Sequence, residues 1–399
     1  MPMTWVEWVA VAALLLATVA VVLAVLNRRA LVGHGVPVTP SAGAPGAPGS
    51  AGDRDDATRT QVAFVANPTK PGVAALRDQS VQACAARYLP EPLWFDTTVE
   101  DPGVGQTREA VERGARVVVA IGGDGTVRAV AEGLTGTDAS MGLIPQGTGN
   151  LLARNLDLPI NDVEELLRIA LTGRTRAVDV GWLRVLRDEA GVADDIAEAD
   201  PEAVAPRDTP PATREPARDH IFLVIAGLGF DAAMVADTDE QLKAKVGWIA
   251  YFVAGVKHLR GRRMRLDIRV DGGPWRSVRL RSLLFGNVGR LPGGITLLPD
   301  AVLDDGVLDV AAIDTRGGIA GWAQLFGEVV MQRFGIRNDL PNKIGRIDHL
   351  RARTVRVRSR DAQQLQVDGE TIGSVREVSA RVDRQALRIR VPDRRDTTG

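Results

Sequence analysis

The chain has 399 residues, enough for two domains with extras at roughly 150 residues per domain. Its 49 basic and 50 acidic side chains leave a net charge of -1, which excludes a dedicated nucleic-acid binder with the usual basic excess. The one cysteine, Cys84, excludes an intrachain disulfide and a thiolate metal cluster.

In chain order, the first predicted element is an apolar helix over residues 5–26. Glu7 is its only charge, Trp5 and Trp8 stand at one end, and Arg28 and Arg29 follow the other. A helix of this length spans roughly 33 Å, enough to cross a bilayer core. The aromatic-first, basic-last order predicts a single-pass anchor with the remaining chain cytoplasmic and the protein at the cell membrane. Residues 33–60, rich in Gly, Pro, Ala and Ser, read as a flexible tether. Buried-strand patterns then fall at 61–66, 93–97, 116–121 and 141–144, alternating with helical patterns at 72–88, 106–114 and 127–134. Continuous apolar strands alternating with helices predict a parallel sheet covered on both faces. Residues 188–219 are acidic and Pro-rich, and predict a disordered insertion.

Beyond the insertion the pattern changes. Short strand signals at 221–226, 264–270, 278–287, 307–313, 354–358 and 364–367 predict a mostly antiparallel β domain, interrupted by one helix at 240–259. The predicted fold is thus an α/β nucleotide-binding domain with a parallel sheet at 61–182, to which a strand at about 382–393 is a candidate to return. A mostly antiparallel, β-sandwich-like acceptor domain at 220–381 and a single N-terminal transmembrane helix complete it.

The turn Gly122-Gly123-Asp124-Gly125-Thr126 directly follows a buried strand and precedes a helix. Glycines there let backbone N–H groups approach a phosphate at a helix N-terminus, and Thr126 adds a hydroxyl. Asp124 beside phosphates calls for a divalent cation or a proton to abstract. The plainer alternative is a tight turn with Asp124 as N-cap. Pro145-Gln146-Gly147-Thr148-Gly149-Asn150 repeats the arrangement after the next strand, and Asn67 to Gly72 follows the first. Three such loops at strand C-terminal ends converge on one crevice.

These motifs, continued by Gly227-Leu228-Gly229-Phe230-Asp231, by Asp304-Asp305-Gly306-Val307-Leu308-Asp309 and by Asp368-Gly369-Glu370, resemble the diacylglycerol kinase catalytic family, which includes sphingosine kinases. The resemblance implies an ATP site at Asn67, Pro68, Thr69, Lys70, Pro71, Thr98 (or Thr97), Gly122, Gly123, Asp124, Gly125, Thr126, Val127, Arg128, Gly147, Thr148 and Asn150. It implies a Mg²⁺ site with Asp305 as side-chain ligand and Val302 and Val307 as carbonyl ligands. Its proton acceptor falls on Glu370, with Asp368 beside it.

Glu370 and Asp124 are the two candidate bases; Glu370 is preferred, with Asp124 in the Mg²⁺/phosphate network. Asp368-Gly369 also reads as a type I′ hairpin turn, and Asp304-Asp305-Gly306 as a turn alone. The basic run from Lys257 to Arg265 reads as a solvated face before it reads as a lipid-headgroup contact.

The expected activity is transfer of the ATP γ-phosphate to a membrane lipid hydroxyl, with diacylglycerol the default acceptor. A sphingoid-base or other lipid kinase, an NAD kinase and a silent lipid- or nucleotide-binding protein are the alternatives. Expected partners are ATP, a membrane lipid substrate and the inner leaflet of the membrane. A homodimer is allowed, and nucleic acid is not expected.

Overall fold

The computed structural model describes residues 60–189, 219–229, 263–291, 295–296, 298–315 and 345–393. The first half comprises β1 (Gln61–Ala66), α1 (Val73–Ala85), β2 (Leu93–Asp96), α2 (Val104–Glu112), β3 (Ala115–Gly122), α3 (Asp124–Leu134), β4 (Ser140–Pro145), α4 (Leu151–Asn155), α5 (Val163–Thr172) and β5 (Arg174–Asp188). The second comprises β6 (Asp219–Phe222), β7 (Ile225–Gly229), β8 (Met264–Val270), β9 (Arg276–Leu280), β10 (Ser282–Gly286), β11 (Arg290–Leu291), β12 (Ile295–Thr296), β13 (Leu308–Thr315), β14 (Gly345–Ala352), β15 (Thr354–Val367) and β16 (Glu370–Val391).

The central apolar runs become strands walled in on both faces, while β2 at the edge is only partly covered. β1 and β3 lie between helices and are buried almost throughout. They form a parallel array in the order β4-β3-β1-β2. The amphipathic helix α5 buries Leu166, Leu167, Ile169 and Ala170 against it, and begins where Asp162 accepts the Glu165 N–H (3.0 Å). The second half is antiparallel, and its alternating strands bury Phe222, Leu283, Phe285, Val310, Val355, Val357 and Val378 in a separate core.

The two halves are not separate sheets. The strand order β14-β13-β10-β7-β15-β16-β4-β3-β1-β2 is continuous, and β16 is the joint. Its start pairs with β15, its length with β5, and its end lies parallel to β4 through Arg388 and Ile389 opposite Ser140 and Met141. The sequence signal at 278–287 resolves into β9 and β10, while 354–358 and 364–367 merge into β15 across a register shift between Arg358 and Gln363.

The membrane expectation is corrected. Among the described residues no helix is long and apolar enough to cross a membrane. The longest described helix, α1, has 13 residues and spans only roughly 20 Å, against about 30 Å of bilayer hydrocarbon. Residues 5–26, on which the transmembrane helix is predicted, lie outside the described residues. The single-pass architecture and its cell-membrane placement are therefore not supported. The tether at 33–59, most of the acidic insertion (190–218) and the helix at 240–259 likewise lie outside.

Candidate active site

Parallel strands put all their C-terminal ends on one edge, and the predicted loops gather there. Asn67 continues β1, its N–H donating to the Ile121 carbonyl (2.9 Å), and its Oδ1 accepts from the Thr69 N–H (3.0 Å) and hydroxyl (2.7 Å). Pro68, Thr69 and Pro71 are exposed, and the Lys70 side chain lies over Gly123. After β2, Thr97 is buried, while exposed Thr98 closes a turn with its Oγ1 accepting the Asp101 N–H (3.0 Å).

The two glycine loops are bolted together by Asp124. Its Oδ2 accepts the Asn150 N–H (3.0 Å) and its Oδ1 the Leu151 N–H (2.7 Å), so a side chain at the start of α3 caps α4. Asn150 Oδ1 in turn accepts the Gly147 N–H (2.9 Å). A Cβ at Gly147 would stand 2.9 Å from the Gly123 Cα, and one at Gly149 would stand 2.7 Å from Asp124 Oδ2. Burial pushes the Asp124 carboxyl up, and the Leu151 and Asn150 N–H groups pull it partly back. Both Asp124 oxygens are thus engaged by backbone donors of the second loop. Thr126 and Val127 face inward, with Thr126 packed against Gly122, while Gly125 and Thr148 are exposed.

Arg128, one turn into α3, leaves this edge. Its Nη1 donates to the Val367 carbonyl (3.0 Å) and its Nη2 meets Glu370, whose side chain is 60% exposed. Glu370 begins β16 just past a two-residue loop. Asp368 and Gly369 have φ of 47° and 86°, and Val367 pairs with Glu370 across them, as a type I′ hairpin requires. Asp368 turns its carboxylate inward, accepting N–H groups of Leu223 (2.8 Å), Val224 (2.9 Å) and Ile225 (2.9 Å). Burial raises it, those donors and Arg128 opposing. Asp368 is thus an anchor for the hairpin, and Glu370 is the carboxylate left facing out.

The sequence assigns no role to His220 on β6. Burial and then the Arg128 charge lower its imidazole to about 4, with Glu370 opposing, so the ring is neutral at physiological pH. His220 is one of four scattered histidines, with no ligand spacing to single it out.

The Asp305 loop lies against β5. Buried Asp179 accepts the Gly306 N–H (2.6 Å) and the Gln385 N–H (2.7 Å), and its own N–H donates to the Leu303 carbonyl (2.7 Å). Asp305 meets Arg351 and accepts the Val307 N–H (3.2 Å), while Val302 is exposed. Burial, with the Asp305 charge adding, raises both Asp179 and Asp309.

Residues 62–183 match the family described as the diacylglycerol kinase catalytic domain, and residues 224–391 match the YegS C-terminal NAD kinase beta sandwich-like domain. A probable lipid kinase YegS-like from Xanthomonas euvesicatoria pv. vesicatoria (strain 85-10) is 31% identical over 58% of this chain and 69% of its own length. Another from Chromohalobacter salexigens is 30% identical over 67% of this chain and 74% of its own. A crystal structure of a diacylglycerol kinase from Bacillus anthracis str. Sterne superposes with a TM-score of 0.59 at 19% identity, covering 83% of this chain and 96% of that one, a likeness of fold alone. Two adjoining family matches and these relatives, set beside loops already seen to converge, establish that the chain belongs to the diacylglycerol kinase family, among the YegS-like lipid kinases, and is an ATP-dependent lipid kinase.

Proposed function

We propose that the acceptor is diacylglycerol and the product phosphatidic acid, with Glu370 as the general base. The observation that carries this reading is the Arg128–Glu370 pair, which sets an exposed carboxylate beside the helix that starts at the glycine turn. The Gly122–Gly125 and Gly147–Asn150 loops receive the ATP phosphates, the N–H groups of Asn67, Gly147 and Asn150 being already engaged in holding the loops, with Lys70 above Gly123 adding a cation. Glu370 takes the proton of the lipid hydroxyl as that oxygen bonds to the γ-phosphorus. The bond to the β–γ bridging oxygen breaks, and ADP leaves.

Among the described residues no cluster of three or more His, Cys, Asp or Glu side chains is set to hold a metal. A Mg²⁺ ion at the Asp305 loop would rest on one carboxylate, the Val302 and Val307 carbonyls and water, the hard oxygen set it favours. Burial raises Asp179 and Asp309, with the Asp305 charge adding, and a cation there would share the Asp305 carboxylate with Arg351. When bound, it offsets carboxylate and phosphate charge.

A cleft of about 380 Å³ with a mixed lining, Val288, Leu298, Pro299, Ala301 and Leu303 together with the polar Asn155, Arg176 and Arg290, is the candidate place for the lipid. The test is transfer of label from γ-labelled Mg-ATP to a panel of diacylglycerol, sphingoid base, ceramide, polyprenol and NAD. Label in diacylglycerol above the other lipids supports the proposal, and label in another acceptor alone overturns it. Glu370→Gln with near-normal turnover removes the base assignment.

A further inference from the structure

We infer that Asn287 is a positioning residue for the phosphoryl transfer, yoking the Asp305 loop to the hairpin that carries Glu370. This rests on the reading of Glu370 as the base.

Asn287 follows β10 and is 1% exposed. Its Nδ2 spends both hydrogens on main-chain carbonyls from distant parts of the chain, Asp179 (2.9 Å) and Leu223 (3.1 Å). Its own N–H donates to the Val224 carbonyl (2.9 Å). Those bonds fix which way the amide faces, because the reverse orientation sets its oxygen against two carbonyl oxygens.

Each end of the bridge grips one half of the site. On one side, Asp179 clasps the loop before and after Asp305, through the Leu303 carbonyl and the Gly306 N–H. On the other, residues 223–225 give three N–H donors to Asp368, two residues before Glu370. A continuous run of hydrogen bonds therefore leads from Gly306 through Asp179, Asn287 and Leu223 to Asp368, and Asn287 is its one side-chain amide. Apolar packing alone does not select an amide at a buried position; two facing carbonyls do. The glycine loops that face ATP are held by a different network, through Asp124. Loss of the bridge should loosen the base without loosening the nucleotide. A displaced base of this kind lowers turnover by up to about a hundredfold.

The experiment is steady-state kinetics on the full chain with Asn287→Ala, Glu370→Gln and the double variant, each checked by circular dichroism. Expected for Asn287→Ala is a kcat lower by roughly ten- to a hundredfold with the KM for ATP within about twofold. The double variant should fall by less than the two single losses combined, because the part of the yoke that acts through the base has nothing to hold once the base is gone. Deuterium uptake at 223–225 should rise in Asn287→Ala. If the alanine variant fails to fold, Asn287→Ser, which keeps a donor for one of the two carbonyls, is read by the same split of kcat from KM. Glu370→Gln with near-normal turnover overturns the base reading. A full Glu370→Gln loss beside an unimpaired kcat in the Asn287 variant overturns the yoke alone, as do additive losses in the double variant.

Discussion

Arg128 and Glu370 stand 242 positions apart in the chain and meet as an ion pair, the guanidinium also holding the Val367 carbonyl at 3.0 Å. One side chain thus fastens the helix that follows the glycine turn to the hairpin that presents the carboxylate. A lysine has the charge but not the fork, and cannot hold both partners in fixed geometry. Arg128→Lys is expected to lower kcat by roughly tenfold or more, with little change in thermal stability. Steady-state kinetics beside a melting curve check it; an unaltered kcat defeats the expectation.

The glycines of the site divide by what surrounds them. A Cβ at Gly147 or Gly149 runs into the Gly123 backbone or the Asp124 carboxylate, whereas one at Gly125 meets nothing within 4 Å. Gly147→Ala and Gly149→Ala are expected to cost about 1–3 kcal/mol, and Gly125→Ala close to nothing. Urea unfolding of the three variants tests the ranking.

Asp124→Asn keeps one acceptor oxygen but turns an NH₂ toward a backbone N–H that needs an acceptor. The expected loss of stability is about 1–3 kcal/mol. The KM for ATP should rise as the two loops part. Unfolding curves and ATP titration read the two effects separately, and an unshifted midpoint would contradict the capping role.

His220 gives a pH dependence with a definite sign. Its ring falls from an ordinary 6.5 to about 4 in the folded chain, so on acidification the unfolded chain takes the proton first. The stability it contributes is present above pH 6.5 and is lost as pH falls toward 4. The loss is at most about 3 kcal/mol, less for a half-buried ring. Guanidinium unfolding of the native chain and His220→Gln at about pH 7.5 and pH 5 tests this. The variant should show the shallower decline, and equal slopes count against it.

What the sequence discloses is what local pattern controls. The glycine turns, the alternating elements around them and the strand at 264–270 appear where they are read, because apolar runs and turn residues act over a few positions. Asp368-Gly369 is legible as a hairpin for the same reason. The inward role of Asp368 is not, since its donors lie 143 to 145 positions away. Nor is Asn287 legible, an unremarked amide until Asp179 and Leu223 are brought to it. The predicted transmembrane helix rests on composition outside the described residues, and the described helices give it no support.

The path of β16 carries a consequence for how the chain is made. The edge of β4 that Arg388 and Ile389 cover belongs to a sheet whose other parallel members are complete by Pro145. During synthesis that edge waits through roughly 240 further residues, on the order of tens of seconds at ribosomal speed. An uncovered strand edge is a template for pairing with another chain. Emerging chains on one messenger are therefore most exposed to each other during that interval, and a stop before residue 388 makes the exposure permanent.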